Sequence, residues 1–140
     1  MPDDRLPDRI ARKMPGTRLP CFLFDSNLDL ARCVAESIAA VIRERTAAGQ
    51  RAVLGLPTGS TPVGVYRELI RMHRDEGLDF SRVVTFNLDE YYGLGPDELQ
   101  SYRRWMNDHF FRHVNIDPSA VHVPDGLVPR DDVDDYCRRY

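Results

Sequence analysis

No stretch of this sequence approaches the run of about 18 apolar residues that spans a bilayer, so no membrane segment is expected. A secretion signal needs an apolar stretch behind its first charges, whereas the opening MPDDRLPDRIARKMPGTRLP is interrupted throughout by Asp, Arg and Pro. There is no basic block or arginine stripe, and with a net charge of −3 and both signs interspersed nucleic acid is not an expected partner. Cysteine is scarce and odd in number: Cys21, Cys33 and Cys137 share no metal-ligand spacing and read as free thiols in a reducing compartment, the cytoplasm. Their expected role is that of small buried hydrophobes. Internal repeats and low-complexity segments are absent as well. What is there, 42% hydrophobic and 29% charged residues in a chain of 140, is the balance of one soluble globular domain.

Residues 1–19 carry three prolines and no periodicity and read as a tail, with Leu6 and Ile10 the only residues suited to dock on the body. The domain proper is read as 20–140. Cys21 to Phe24 is a short apolar run, taken as a strand. Ser26 with Asp29 makes a capping pair for a helix whose apolar face is Leu30, Val34, Ile38, Val41 and Ile42, ending at Gly49. Ala52 to Leu56 is a continuous apolar run of the kind found in strands covered on both faces. Thr61 as N-cap and Pro62 at the first helical position start the next helix, with Val63, Tyr66, Leu69, Ile70 and His73 as its buried face and Gly77 as its stop. Val83 to Phe86 is a second buried strand; a helix follows from about Leu99 to His113, then a short strand at Val121 to Val123. Asp131 to Tyr140 opens a further helix with Val133, Tyr136, Cys137 and Tyr140 at helical spacing, and the chain is expected to be truncated inside that pattern. Strand and helix alternate throughout, which predicts an α/β chain: a three-layer Rossmann-like fold, mostly parallel sheet with helices on both faces.

In such folds ligands bind beyond the carboxyl ends of the strands. Two strand ends stand out. Thr58-Gly59-Ser60-Thr61 is small, polar and glycine-containing, and it opens into a helix whose free N–H groups and dipole favour an anion. It lacks the Gly-Lys-Ser/Thr of a Walker loop and is not GxGxxG; an ordinary capped turn reads equally from the pattern. Asp89-Glu90 leaves the second strand, where a carboxylate would serve as a base on a ligand whose phosphate sits in the first loop, or else both are solvated loop acids or caps. His109 and His113 lie four apart without a third ligand or an HExxH glutamate, so no metal is expected there.

Leu54 through Pro62, and Val83-Val84-Thr85-Phe86-Asn87-Leu88-Asp89-Glu90-Tyr91, resemble the two N-terminal signatures of the glucosamine-6-phosphate deaminase family. The stretches Tyr66 to His73 and Gln100 to Ile116 are similar too, so the resemblance covers about residues 20 to 140. It implies conversion of glucosamine 6-phosphate and water to fructose 6-phosphate and ammonia in aminosugar catabolism, an aldose–ketose isomerisation with deamination that needs no cofactor. It assigns Asp89 as the base at C2, Glu90 as a supporting acid, and Thr58, Gly59, Ser60 and Thr61 as the phosphate cradle. The family more often has a second glycine where Ser60 stands. Its ring-opening histidine, acidic partners and phosphate-clamping basic residues belong to a second half that this sequence does not contain, so the 140 residues alone are expected to be a poor catalyst. The expected partner is a small phosphosugar, and a homo-oligomer is compatible with the sequence. Two rivals are a 6-phosphogluconolactonase, whose second motif reads GDER instead of Asn-Leu-Asp-Glu-Tyr, and a non-catalytic phosphosugar sensor, which would carry a helix-turn-helix that a 19-residue tail is too short to hold.

Overall fold

Each of the two apolar runs singled out above becomes a parallel strand, and a third, shorter strand joins them. The computed structural model describes residues 11–140; Leu6 and Ile10 lie outside the described residues. In chain order the elements are β1 (Ala11–Lys13), β2 (Phe22–Phe24), α1 (Asn27–Ala47), β3 (Ala52–Leu56), α2 (Val63–Glu76), β4 (Val83–Asn87), α3 (Tyr102–His109), β5 (Val121–His122) and α4 (Val133–Arg139). β3, β4 and β5 form one parallel sheet in the order β3-β4-β5, with Ala52 opposite Val83 and Leu56 opposite Asn87. β1 and β2 form a separate antiparallel pair, Ala11 opposite Phe24. The segment read as a tail therefore contributes a strand, one too short and too broken by prolines nearby to show a period.

The core lies on one face of the sheet. Ala52 and Leu56 of β3 and Val83 of β4 meet Tyr66, Leu69 and Met72 of α2, Met106 of α3, and Phe80 and Phe110. Phe110 is fully buried; it stacks on Tyr66 with ring centroids 5.0 Å apart and meets Phe80 edge-on at 5.5 Å. On the opposite face Phe86 stacks on His122 at 4.5 Å and receives the edge of Tyr140, just past α4. Coverage of that face stops there: Val53 is 64% exposed, so β3 is not buried on both sides as its apolar run predicts. β3 is an edge strand among the described residues, and no described element lies over Val53.

α1 departs furthest from its predicted packing. It buries Ala31, Cys33, Ala35, Ala39 and Ile42; of the predicted stripe Ile42 is buried and Ile38 packs against the core, whereas Leu30, Val34 and Val41 are exposed. The alanines let α1 lie close against α2; a Cβ added at Gly64 would come within 3.1 Å of Ala31. The larger apolar residues are turned aside, where Leu30, Val34, Ile38 and Val41 line an open groove of about 490 Å³ with Phe22, Phe24 and Leu54. Hydrophobic spacing identified a helix but not which apolar stripe meets the nearest neighbour. Ser26 caps α1 as predicted, accepting from Asp29 N at 3.1 Å while its hydroxyl donates to the Asp29 carboxylate at 2.6 Å. The α3 helix begins at Tyr102, later than the predicted Leu99, because Ser101 is its N-cap, accepting from Arg104 N. Of the cysteines only Cys33 is buried; Cys21 is partly buried and Cys137 is exposed, and all three are free.

Candidate active site

The parallel pairing of β3 and β4 brings the two marked loops to one edge of the sheet. Leu56 and Asn87 are the last paired residues of their strands and face each other on one rung of the ladder. The Asn87 side chain reinforces the rung: its Nδ2, fully buried, donates to Leu56 O at 2.7 Å. Asn87 Oδ1 and the neighbouring Thr85 Oγ1 are buried without a hydrogen-bond partner among the described residues. A buried polar atom left so costs about 1–3 kcal/mol, a penalty that native proteins tolerate chiefly at functional sites.

Beyond Leu56 the chain turns through Pro57-Thr58-Gly59-Ser60-Thr61 into α2. Gly59 has φ +98°, a conformation that side chains rarely adopt. Pro57 is fixed from below, its carbonyl accepting from the buried Tyr66 hydroxyl at 2.5 Å. Burial pushes the Tyr66 phenol well above its ordinary pKa, so it stays a donor. Thr61 is not the N-cap that the sequence predicts. The helix starts one residue later, Pro62 stands at the cap, and no side chain caps it. The first helical bond is Tyr66 N to Pro62 O at 3.0 Å, which leaves the N–H groups of Val63, Gly64 and Val65 without helical acceptors. An uncapped helix start behind exposed Gly59, Ser60 and Thr61 is suited to an anion.

Beyond Asn87, Asp89 is exposed. Glu90 is not. Both its carboxylate oxygens are occupied, Oε1 accepting from Tyr91 N and Tyr102 N at 2.8 Å each, Oε2 from Ser101 Oγ at 2.8 Å and Arg103 N at 3.0 Å. Burial raises its pKa, and these four donors together outweigh burial and hold it below the usual glutamate value. Glu90 is thus engaged in closing the N-terminus of α3, the capping alternative that the sequence leaves open beside a supporting role. Its charge contributes stability above the unfolded carboxylate pKa, and that stability is lost as pH falls through the lower folded value. Glu90→Gln in the full-length protein is expected to cost about 1–3 kcal/mol at pH 7, since two donors would meet an amide NH2. Thermal melts should show this gap narrowing as pH falls below the ordinary glutamate range and through Glu90's lower folded value; a gap independent of pH would contradict the assignment.

The Glu90 contacts also draw the Asp89 loop onto the start of α3. The Tyr102 hydroxyl donates to that of Tyr91 at 3.2 Å. The following loop is pinned by Gly93 N donating to Gly126 O at 2.7 Å, and a Cβ at Gly126 would fall 2.5 Å from Leu94 O, so only glycine fits that approach. Tyr66, Ser101 and Tyr102 are residues that sequence reasoning left in the core or in a helix, and Asn87, read as leaving the strand, is its last paired residue. For Tyr66 a signal exists: a buried phenol must find a partner for its hydroxyl.

The histidines lie elsewhere. His73 Nδ1 donates to Leu78 O at 2.7 Å; His109 stacks on Trp105, and His113 Nε2 lies 3.0 Å from Asp108 O. Among the described residues no three His, Cys, Asp or Glu side chains gather as metal ligands, and no helix is long and apolar enough to cross a membrane.

Residues 25–140 match the family described as glucosamine-6-phosphate isomerases/6-phosphogluconolactonase. Glucosamine-6-phosphate deaminase 2 of Giardia intestinalis is 54% identical over 112 residues, covering 80% of this chain and 40% of that protein. A solved structure of a monomeric glucosamine-6-phosphate deaminase superposes with a TM-score of 0.75 at 44% identity, over 82% of this chain and 45% of the other. The 6-phosphogluconolactonase structure from Thermotoga maritima superposes with a TM-score of 0.64 at 26% identity, over 84% of this chain and 49% of the other. The chain thus spans less than half the length of the proteins it matches.

Proposed function

Since this chain belongs to the glucosamine-6-phosphate isomerase/6-phosphogluconolactonase family, we propose that the full-length protein is a glucosamine-6-phosphate deaminase and that these residues supply its anion cradle and its enolisation base. The observation that carries the reading is the shared rung of Leu56 and Asn87, which sets an uncapped helix start and an exposed carboxylate side by side. The backbone N–H groups of Gly59 to Val65, with the Thr58, Ser60 and Thr61 hydroxyls, hold the phosphate of glucosamine 6-phosphate. The opposed charges set the division of labour: a carboxylate is repelled by phosphate, so Asp89 works at the carbon end. It takes the proton from C2 of the opened sugar and passes it toward C1, which moves the carbonyl character to C2; water then replaces the amine, giving fructose 6-phosphate and ammonia. Ring opening and cationic clamping of the phosphate are left to residues outside this chain. No redox cofactor enters, and the setting is the cytoplasm.

The similarity to deaminases at 54% and 44% identity against 26% for the lactonase supports this choice within the family. Full-length protein supplied with glucosamine 6-phosphate should release ammonia in step with fructose 6-phosphate. Acid release from 6-phosphogluconolactone without ammonia would transfer the assignment to the lactonase, and saturable phosphosugar binding without either product would make the protein a sensor.

A further inference from the structure

Tyr140 carries a hydroxyl that the packing of its ring does not require. Just past α4, the residue is 41% exposed; its ring meets Phe86 edge-on at 5.9 Å and Tyr136 at 6.2 Å, contacts that a phenylalanine would make as well. The hydroxyl turns to the carboxyl ends of two strands, 2.8 Å from Asn87 O and 3.1 Å from His122 O. Carbonyl oxygens only accept, so the phenol is the donor, its single proton shared between them with the shorter bond to Asn87. Burial and the neighbouring Tyr136 raise the phenol's pKa against the opposing Asn87 bond and Arg103, so it keeps that proton. The β4–β5 ladder ends where Phe86 meets His122, one residue before Asn87. The Tyr140 hydroxyl therefore joins β4 to β5 at the point where the ladder stops. Asn87 is held on its other side too, its side-chain Nδ2 donating to Leu56 O of β3 at 2.7 Å.

We propose that Tyr140 is a positioning residue: its hydroxyl completes a line of bonds across the ends of β3, β4 and β5, from Leu56 O through the Asn87 side chain and Asn87 O to His122 O, and so fixes the point from which the loop carrying Asp89 leaves the sheet. Asp89 stands two residues beyond Asn87, so freedom at the Asn87 carbonyl passes to the base with little chain to absorb it. The anion cradle is anchored separately, by the Tyr66 hydroxyl on Pro57 O. Tyr140 therefore governs the placement of the base and not the hold on the phosphate. This consequence for catalysis rests on the deaminase reading; the bonding across the strand ends does not.

The test is Tyr140→Phe in the full-length protein, which keeps the ring against Phe86 and removes the hydroxyl. Amide hydrogen exchange reads the effect without any substrate: residues 88 and 89 should exchange faster, while α1 stays as in the wild type and shows the variant to be folded. With glucosamine 6-phosphate, kcat should fall about tenfold, since small displacements of a reacting pair are costly, while KM and inhibition by inorganic phosphate, which need the cradle alone, stay unchanged. In an Asp89→Asn background the same substitution should lower kcat no further, because the group it positions is gone. Unaltered exchange at 88 and 89, or exchange raised equally in α1, overturns the proposal, and so does an unaltered kcat. A tenfold loss that persists in the Asp89→Asn background overturns it as well, since the hydroxyl would then act other than through Asp89. A wild type that releases no ammonia removes the deaminase reading only, and exchange then decides the proposal by itself.

Discussion

Asp89→Asn is expected to lower ammonia release from glucosamine 6-phosphate by about 10²–10⁴-fold, the range that a positioned general base contributes. The substitution keeps the shape and removes the proton acceptor. Two features make the expectation sharp. Glu90 is the neighbouring carboxylate, and its four bonds, three to the start of α3 and one to Tyr91 N, leave it no free lone pair facing the crevice with which to take over. Asp89 is exposed beyond the last rung of β4, so its loss opens no cavity and leaves the fold intact. KM, reporting chiefly the phosphate cradle, should change little. Steady-state kinetics of the full-length enzyme beside its Asp89→Asn variant decide the matter, and a loss below tenfold would move the base elsewhere.

The second large effect belongs to the core. Phe110→Ala should destabilise the protein by about 3–5 kcal/mol, as for other buried phenylalanines. Phe110 is in contact with the rings of Tyr66, Phe80 and Phe111. The loss should also reach the site, because Tyr66 stacks on Phe110 with one face and holds the Pro57 carbonyl with its hydroxyl. Denaturant titration measures the first effect. A rise in KM of the folded fraction measures the second, and an unchanged KM would show that Tyr66 is held without Phe110.

Much of the architecture is legible from periodicity. The runs Ala52 to Leu56 and Val83 to Phe86 emerge as parallel strands, and Gly77 ends α2 where glycine chemistry places it. On α1 the predicted Ile42 is buried, but Leu30, Val34 and Val41 are not, because spacing ranks residues by size, whereas two closely packed helices prefer the alanines. Thr61 fails as a cap because Pro62 can occupy that place itself, and the resulting bare helix start is what suits an anion. The loops carrying Thr58, Gly59, Ser60 and Thr61 and carrying Asp89 leave the sheet from paired strand ends, Leu56 and Asn87. A cap was one reading open for Glu90, but the helix it closes was not legible, since no local pattern connects Ser101 and Arg103 to it.

The rung shared by Leu56 and Asn87 also says which kinds of sequence drift this region tolerates. Cradle and acid hang from neighbouring strands like the jaws of a caliper, and the caliper is set by strand register, not by the length of chain between the jaws. Residues added or lost in the turn around Gly77 to Ser81 would lengthen the path without moving either jaw. A slip of β4 by a single residue would carry Asp89 about 3.3 Å along the strand and turn the buried Val83, Thr85 and Asn87 to the opposite face. Insertions and deletions in this stretch of the lineage are therefore filtered by parity of the strand, and loop length is free to wander.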